Sequence, residues 1–316
     1  MDEALATPPP PRARRLLPLD LARGFLIGMA ELVPGVSGGT VALVTGVYEQ
    51  LIGSAAHVVA AGRRLVTGPD RVRGAAAELR RTDWRLVVPV LLGMATAVLT
   101  VAGVMHAFVE GSPEHARGLF LGLVAVSVVV PLRMLPAAHR PAALDAALLV
   151  GAAVLAWLLI GSAAGDRSLS ATPPVVFVAA AAAVCALVLP GVSGSFFLLA
   201  VGLYGSTLQA VDGRDLGYLA VFAAGAAVGL ATFVPVLRRL LLRHRRTTLL
   251  VMAGLMIGSL RALWPWQAGD EDGPGSLAAP AQPVTGPVLL ALLGAVVVGV
   301  LVVVEARRDA PAPEGG

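Results

Sequence analysis

The sequence predicts an all-α polytopic membrane protein with an inverted-topology repeat, two re-entrant helical hairpins and about six full transmembrane helices. Composition, two matching helix breaks and the distribution of arginine support this fold class. Of the 316 residues, 57% are hydrophobic and only 14% are charged, whereas about 25% are charged in ordinary soluble proteins. The mean hydropathy is +0.81. These values exclude a disordered chain, a fibrous protein and almost any soluble enzyme.

Apolar blocks long enough to cross a bilayer occur six times, and blocks of about 18 or more apolar residues are typical of transmembrane helices. The predicted spans are 86–109, 118–132, 143–161, 216–237, 247–263 and 287–304.

Two further apolar blocks, 16–51 and 174–208, are too long for one helix, and each is interrupted by the residues Pro-Gly-Val-Ser-Gly. Proline suits a helix start and glycine a tight turn. We therefore expect each block to form two half-helices that enter and leave the membrane on the same face. An irregular turn at membrane depth must face protein or a wet cavity.

The two interruptions belong to an internal repeat. The motif at 34–38 recurs at 190–194, and Gly46-x-Tyr48 recurs as Gly202-x-Tyr204 at the same offset of 156. Further along, Asp83 matches Asp215 at an offset of 132, so the first half carries 156 − 132 = 24 extra residues, in its arginine-rich segment. The predicted division is a disordered cytoplasmic leader (1–15), a first repeat of one hairpin and two spans (16–142), a connecting span (143–165), a second, inverted repeat (166–265), and an external loop, final span and short tail (266–316).

The arginines indicate the orientation, because cytoplasmic loops are enriched in basic residues. All 24 basic residues are arginine. With both termini in the cytoplasm, 20 arginines lie inside and four outside. The four are Arg117, Arg167, Arg214 and Arg261. The connecting span then inverts the second copy, an arrangement found in secondary transporters with broken helices. Charge alone does not distinguish a hairpin from a pair of full spans.

The helix breaks carry the predicted binding site. A half-helix N-terminus offers free N–H groups and the positive end of the helix dipole, and two such termini converging from opposite faces suit an anion such as phosphate. The alternative is that the breaks serve only to pack the hairpins. The candidate phosphate-binding residues are Ser37, Gly38, Gly39, Thr40, Ser193, Gly194 and Ser195.

Four charged residues near the breaks are candidates for supporting roles. Glu31 lies in an apolar run, where an ionisable group favours a function such as carrying a coupling proton. Its alternative is a carboxylate that reaches a wet interface. Glu49 is a second ionisable candidate, with a surface position as the alternative. Arg23 and Arg85 could attract a phosphate head group, although topology anchoring is the simpler role.

Other chemistry is not indicated by the sequence. The five histidines lack metal-ligand spacing, the single cysteine, Cys185, reads as a small core residue, and there is no P-loop. The pI of about 10.1 reflects topology-setting arginines rather than a nucleic-acid surface. We therefore predict no catalytic residue, metal site, cofactor or nucleic-acid partner.

The segment 24–40, running on to Gly46 and Glu49, resembles the PopT-type family of bacterial and archaeal membrane proteins, formerly a domain of unknown function. Segments 190–204 and 258–266 are also similar to it, and the resemblance covers about 16–304. The family often has Asp at the position of Glu31, so the reach of the carboxylate differs here.

The resemblance implies a flippase in the cell membrane that returns undecaprenyl phosphate, or a related polyprenyl phosphate, from the outer to the inner leaflet for cell-wall synthesis. We expect membrane lipids as surroundings, and a proton or sodium as coupling ion. Two alternatives remain at this point: a small-anion secondary transporter or channel and, less favoured, a polyprenyl-pyrophosphate phosphatase.

Overall fold

The computed structural model describes residues 16–31, 37–67, 70–137, 141–162, 170–268, 276–282 and 284–309. Within these ranges the chain is almost entirely helical. A short 3₁₀ helix, Leu260–Leu263, and a two-stranded antiparallel pair, β1 (Gln267–Ala268) and β2 (Ser276–Leu277), follow α13. The helices are α1 (Leu17–Glu31), α2 (Gly38–Val44), α3 (Tyr48–Thr67), α4 (Arg71–Arg81), α5 (Trp84–Gly111), α6 (Pro113–Ser127), α7 (Val129–Arg133), α8 (Ala142–Ser162), α9 (Pro173–Val188), α10 (Gly194–Ala200), α11 (Tyr204–Asp212), α12 (Leu216–Arg243), α13 (Arg245–Ser259) and α14 (Thr285–Asp309).

Six helical segments in the described part of the chain are long and apolar enough to cross a membrane, which confirms the predicted class of all-α polytopic membrane protein. Their outer surfaces expose leucine and valine, and Leu99 is 85% exposed, as expected for side chains that contact lipid. The segments are Trp84–Val101, Pro113–Arg133, Ala142–Gly161, Leu216–Arg243, Arg245–Leu263 and Thr285–Val303.

Both interrupted blocks form a medium helix followed by a very short one. The pair α1 and α2 has 15 and seven residues, and the pair α9 and α10 has 16 and seven. In the second break, Gly191 has a φ of +83°, a left-handed conformation that glycine adopts at no steric cost. In the first break, residues 34–36 of the predicted motif lie outside the described residues.

The connections that follow the two short helices have the same backbone. Gly46 and Gly202 both have positive φ, 71° and 75°. The amide of Val47 donates to the carbonyl of Ala42 at 3.0 Å, and the amide of Leu203 donates to Leu198 at 2.9 Å. Both hydrogen bonds are separated by the sequence offset of 156, so the matched motifs fold alike.

Asp83 and Asp215, which match at the offset of 132, both cap the N-terminus of a helix. Each precedes a 28-residue helix, α5 or α12. Asp83 accepts a hydrogen bond from the amide of Leu86 at 3.2 Å, and Asp215 accepts one from Tyr218 at 3.0 Å. A carboxylate in this position satisfies a free N–H group of the first turn.

Close helix pairs occur in equivalent places in the two halves. Helix α1 packs on α5, and α9 packs on α12. A side chain at Gly24 would collide with the backbone of Val90, and one at Gly229 would collide with that of Ala181. Both glycines therefore lie in close helix–helix packing faces.

The remaining long helices pack across the two halves. Helix α14 lies on α6, where a Cβ on Gly122 would collide with the backbone of Ala291. Helix α8 lies on α13, where one on Gly258 would collide with Ala153. The third long span of each half is α8 in the first half and α14 in the second. Each covers the second long span of the other half, so α8 lies on α13 and α14 lies on α6.

The arginine-rich segment differs from the polar stretch expected from the sequence. Helix α3 continues to Thr67, and α4 folds back on it, with Ala75 and Glu78 buried against it. Helix formation here follows from alanine, arginine and glutamate, which have high helix propensity. The predicted leader at 1–15, the acidic run at 270–272 with its neighbours (269–275), and the tail after 309 lie outside the described residues.

Candidate functional site

The two helix breaks lie directly against each other. The hydroxyl of Tyr48, just after the first short helix, donates to the carbonyl of Val188 at 2.8 Å. A Cβ on Gly39 would lie 3.3 Å from both the amide nitrogen of Pro190 and the carbonyl oxygen of Val188. Such a distance is tighter than ordinary van der Waals contact, so a side chain here would require the neighbouring backbone to move by a few tenths of an ångström.

Two predicted phosphate ligands hydrogen-bond to the opposite break. The hydroxyl of Ser37 donates to the carbonyl of Leu189 at 3.2 Å. The amide of Gly191 donates to the hydroxyl oxygen of Thr40 at 3.0 Å. Ser37 and Thr40 are 3% and 2% exposed. These hydroxyls therefore satisfy backbone groups that the helix break leaves without helical partners.

Glu31 reaches the start of the short helix that follows its own. Its Oε1 accepts a hydrogen bond from the amide of Gly38 at 2.8 Å. A carboxylate at this place stabilises the positive end of α2. A side chain on Gly38 would collide with that carboxylate, so the glycine makes the contact possible. The sequence indicated both residues but not that they bind each other.

The second break brings its two serines together. Ser193 is buried and shares a hydrogen bond of 3.0 Å with Ser195. Gly194, between them, packs against α9, where a Cβ would lie 2.6 Å from the carbonyl oxygen of Ala183.

Glu49, the second ionisable candidate, forms an ion pair with a residue of the other half. Arg245 donates to its carboxylate at 2.9 Å, and both side chains are more than a third exposed. The contact joins the start of α3 to the start of α13. This placement agrees with the surface position given as the alternative role of Glu49.

The two candidate arginines lie in the middle of α1 and at the start of α5. Arg23 donates to Asp20 at 2.9 Å, and Arg85 is exposed. Asp20 is fully buried and was not selected from the sequence. The signal that could have found it is the one used for Glu31, an acid within an apolar run.

The chemistry of the junction is that of hydrogen bonds from backbone amides and hydroxyl groups, with one carboxylate. The described hydrogen bonds join Ser37 to Leu189, Gly38 to Glu31 and Gly191 to Thr40. No group of three or more His, Cys, Asp or Glu side chains suited to a metal occurs in the described part of the chain. An anion that binds the amide of Gly38 would have to take the place of the Glu31 carboxylate.

In the described part of the chain, six membrane-long helices and two contacting helix breaks define a multi-pass α-helical membrane protein. Residues 27–276 match the family described as VCA0040-like, undecaprenyl phosphate translocase-like. The chain belongs to this family, and the predicted family resemblance is confirmed. The family is one of transporters rather than enzymes, which removes the phosphatase alternative.

Two curated relatives cover most of the chain. A polyprenyl-phosphate transporter of Vibrio cholerae serotype O1 is 33% identical over 245 residues, which are 78% of this chain and 77% of that protein. A polyprenyl-phosphate transporter of Staphylococcus aureus is 25% identical over 262 residues, 78% of this chain and 86% of that protein. No solved structure shows a significant match.

Proposed function

We propose that the protein moves a polyprenyl phosphate, such as undecaprenyl phosphate, from the outer to the inner leaflet, with the phosphate passing between the two helix breaks. The observation that carries the proposal is the direct contact of the breaks, with backbone amides and four hydroxyl groups around it. The names of the two relatives support the substrate class.

The proposed architecture is an inverted pair of re-entrant hairpins, α1–α2 and α9–α10. Helix lengths support it. At 1.5 Å per residue the 15 residues of α1 and the 16 of α9 rise about 22 and 24 Å, which is less than the roughly 30 Å of a bilayer core. A chain that turns back at this depth places its break inside the membrane.

The proposed phosphate ligands are the amides of Gly38 and Gly39 and the hydroxyls of Thr40, Ser193 and Ser195. Thr40 accepts a hydrogen bond from Gly191, so its own hydrogen can still be donated. Ser37 would have to release the carbonyl of Leu189 in order to join. Gly194 contributes by allowing α10 to pack closely on α9.

Glu31 is proposed to compete with the phosphate. Its carboxylate accepts from the amide of Gly38, which is the donor an incoming phosphate would use. Protonation removes the charge and weakens that hydrogen bond, so proton uptake favours phosphate binding and phosphate binding favours proton uptake. An inward proton gradient could then drive return of the carrier, whereas sodium coupling would leave Glu31 charged.

The proposed orientation has both termini in the cytoplasm. It is supported by the Glu49–Arg245 contact, which brings the arginine-rich α3–α4 region and the basic end of α12 to the same end of the molecule. The division into two repeats and a connecting span remains part of this proposal. The junction of the breaks belongs to both repeats.

The test is leaflet exchange of labelled undecaprenyl phosphate in proteoliposomes. Ser193→Ala/Ser195→Ala removes two donors to an anion, each worth about 1.5 kcal/mol. We expect transport at limiting substrate to fall on the order of 100-fold. Thr96→Ala/Thr100→Ala is the matched control, because these hydroxyls donate to carbonyls of their own helix and are exposed.

Equal activity of the two double variants would contradict a phosphate site at the breaks. Uptake of inorganic phosphate without any lipid exchange would instead favour the small-anion transporter.

A further inference from the structure

The α3–α4 hairpin is a feature of the first half alone. Helix α3 has 20 residues, whereas its counterpart α11 has nine. Helix α4 has no counterpart in the short connection at 213–215 between α11 and α12. The described part of the 24 extra residues predicted from the sequence offsets therefore forms a helical extension, the end of α3 and all of α4.

The extension is held together by a buried carboxylate. Glu78 of α4 is 6% exposed. It lies 2.9 Å from Nδ1 of His57 and 3.0 Å from the guanidinium of Arg64, both on α3, and 3.9 Å from that of Arg81. The hairpin is thus a folded unit with a defined outer surface.

That outer surface is basic and apolar at once. Val66 and Val72 are 71% and 75% exposed, and Leu65 is exposed beside them. Among the described residues of α4 and its N-terminal cap, Asp70 is the one acidic residue that is exposed, since Glu78 is buried. Besides Arg64 and Arg81, which contact Glu78, the exposed arginines available to a ligand are Arg63, Arg71, Arg73 and Arg80.

The hairpin is fixed close to the membrane boundary. Trp84 begins the first membrane-long helix, only three residues after the end of α4. Its indole N–H donates to the carbonyl of Leu79 on α4 at 2.7 Å. Tryptophan at the end of a span is typical of the membrane interface, so α4 is held beside the lipid surface.

We propose that the outer surface of the α3–α4 hairpin, formed by these arginines with Leu65, Val66 and Val72, docks on anionic phospholipid head groups of the adjacent leaflet. The arginines pair with lipid phosphates, and the valines enter the head-group region, as in interfacial amphipathic helices. An acidic soluble protein would complement the charge of the arginines, but it would not account for the exposed valines beside them. The surface is separate from the proposed transport path between the breaks.

The experiment uses the full-length chain in nanodiscs, with an environment-sensitive fluorophore on Val72→Cys in a Cys185→Ala background, since Cys185 is the only cysteine. In phosphatidylglycerol the label should show blue-shifted, brighter emission than in phosphatidylcholine. Raising the salt to about 1 M should remove the difference, because the screening length falls to about 3 Å.

Matched arginine variants test the charge. One arginine beside a charged leaflet is worth about a fivefold change in surface partition, so Arg71→Gln/Arg73→Gln should weaken docking about 30-fold and remove most of the shift. Arg239→Gln/Arg243→Gln removes the same charge from exposed positions at the end of α12 and should leave the shift intact.

Identical emission of the label in the two lipids would overturn the proposal and leave an acidic soluble partner as the occupant. A shift that persists in Arg71→Gln/Arg73→Gln, or that is lost equally in the control variant, would also overturn it.

Discussion

The carboxylate of Glu31 has two partners available to it in the proposed cycle, a proton and the amide of Gly38. In the structure it holds the amide, at 2.8 Å. A phosphate has the same charge sign and the same preference for N–H groups at a helix start. Protonation of this one side chain can therefore change the affinity of the site for a lipid phosphate, and no other residue is needed to transmit the change.

Replacing Glu31 tests this competition. Glu31→Gln keeps the size of the side chain but removes the charge, so it should transport polyprenyl phosphate with a rate that no longer depends on pH. In the unmodified protein, transport should fall as Glu31 ionises, by about tenfold if the lost donor is worth about 1.5 kcal/mol. The measurement is the pH profile of leaflet exchange in proteoliposomes.

Glu49→Gln is the control, because the same charge is removed at an exposed ion pair with Arg245. It should retain the pH dependence. An unchanged profile in Glu31→Gln would rule out proton coupling through this residue and favour sodium coupling or passive exchange.

The α3–α4 hairpin depends on the ionised state of Glu78. Burial acts to raise the pKa of this carboxyl, but the hydrogen bond from His57 and the charges of Arg64, His57 and Arg81 outweigh burial and hold its pKa below the usual value. A lowered pKa in the folded state means that the stabilisation is complete above the ordinary value of 4.5. It is lost as the pH falls through the lowered pKa.

Glu78→Gln should therefore loosen α4 at neutral pH. Loss of the charge-assisted hydrogen bonds of this buried carboxylate costs about 2 kcal/mol, and hydrogen exchange of the amides at 71–81 should accelerate about 30-fold. Asp70→Asn removes the same charge from the same hairpin, but the side chain of Asp70 does not cap the helix, so it should exchange as the unmodified protein does. Equal protection in all three proteins would show that Glu78 does not hold the hairpin.

Local patterns predicted most elements, and long-range contacts account for what they missed. Hydropathy located the six spans, and Pro-Gly sequences located the breaks, because both signals act within a few residues. The ion pair of Glu49 with Arg245 joins residues 196 positions apart, and no local pattern encodes it. Helix α4 was missed for a related reason: its polar composition resembles a loop until α3 is present to cover Ala75 and Glu78.

At the scale of the molecule, the halves are joined by exchange of their third long spans. Helix α14, at the end of the chain, lies on α6, and α8 lies on α13. The breaks also meet between the halves, through Tyr48 and Val188. Neither half can therefore complete its packing without the other.

Glycines at the exchanged contacts should govern stability. Gly122→Val puts a side chain where a Cβ would already lie 2.6 Å from the carbonyl carbon of Ala291, and overpacking should lower the free energy of unfolding by about 2 kcal/mol or more. Gly151→Val and Gly299→Val are matched controls on α8 and α14, because a Cβ there meets nothing within 4 Å. Thermal unfolding in detergent measures the difference, and equal melting temperatures would contradict the exchanged packing.

The packing of α14 on α6 also affects the order in which the protein can fold during translation. Gly122 precedes its partner Ala291 by 291 − 122 = 169 residues, which takes roughly 8–34 seconds to translate at about 5–20 residues per second. During that interval the nascent α6 has no native partner for its glycine face, while α8 meets α13 earlier. Because α14 is made after α6, α8 and α13, it completes this packing, and a chain interrupted before α14 leaves the glycine face of α6 uncovered.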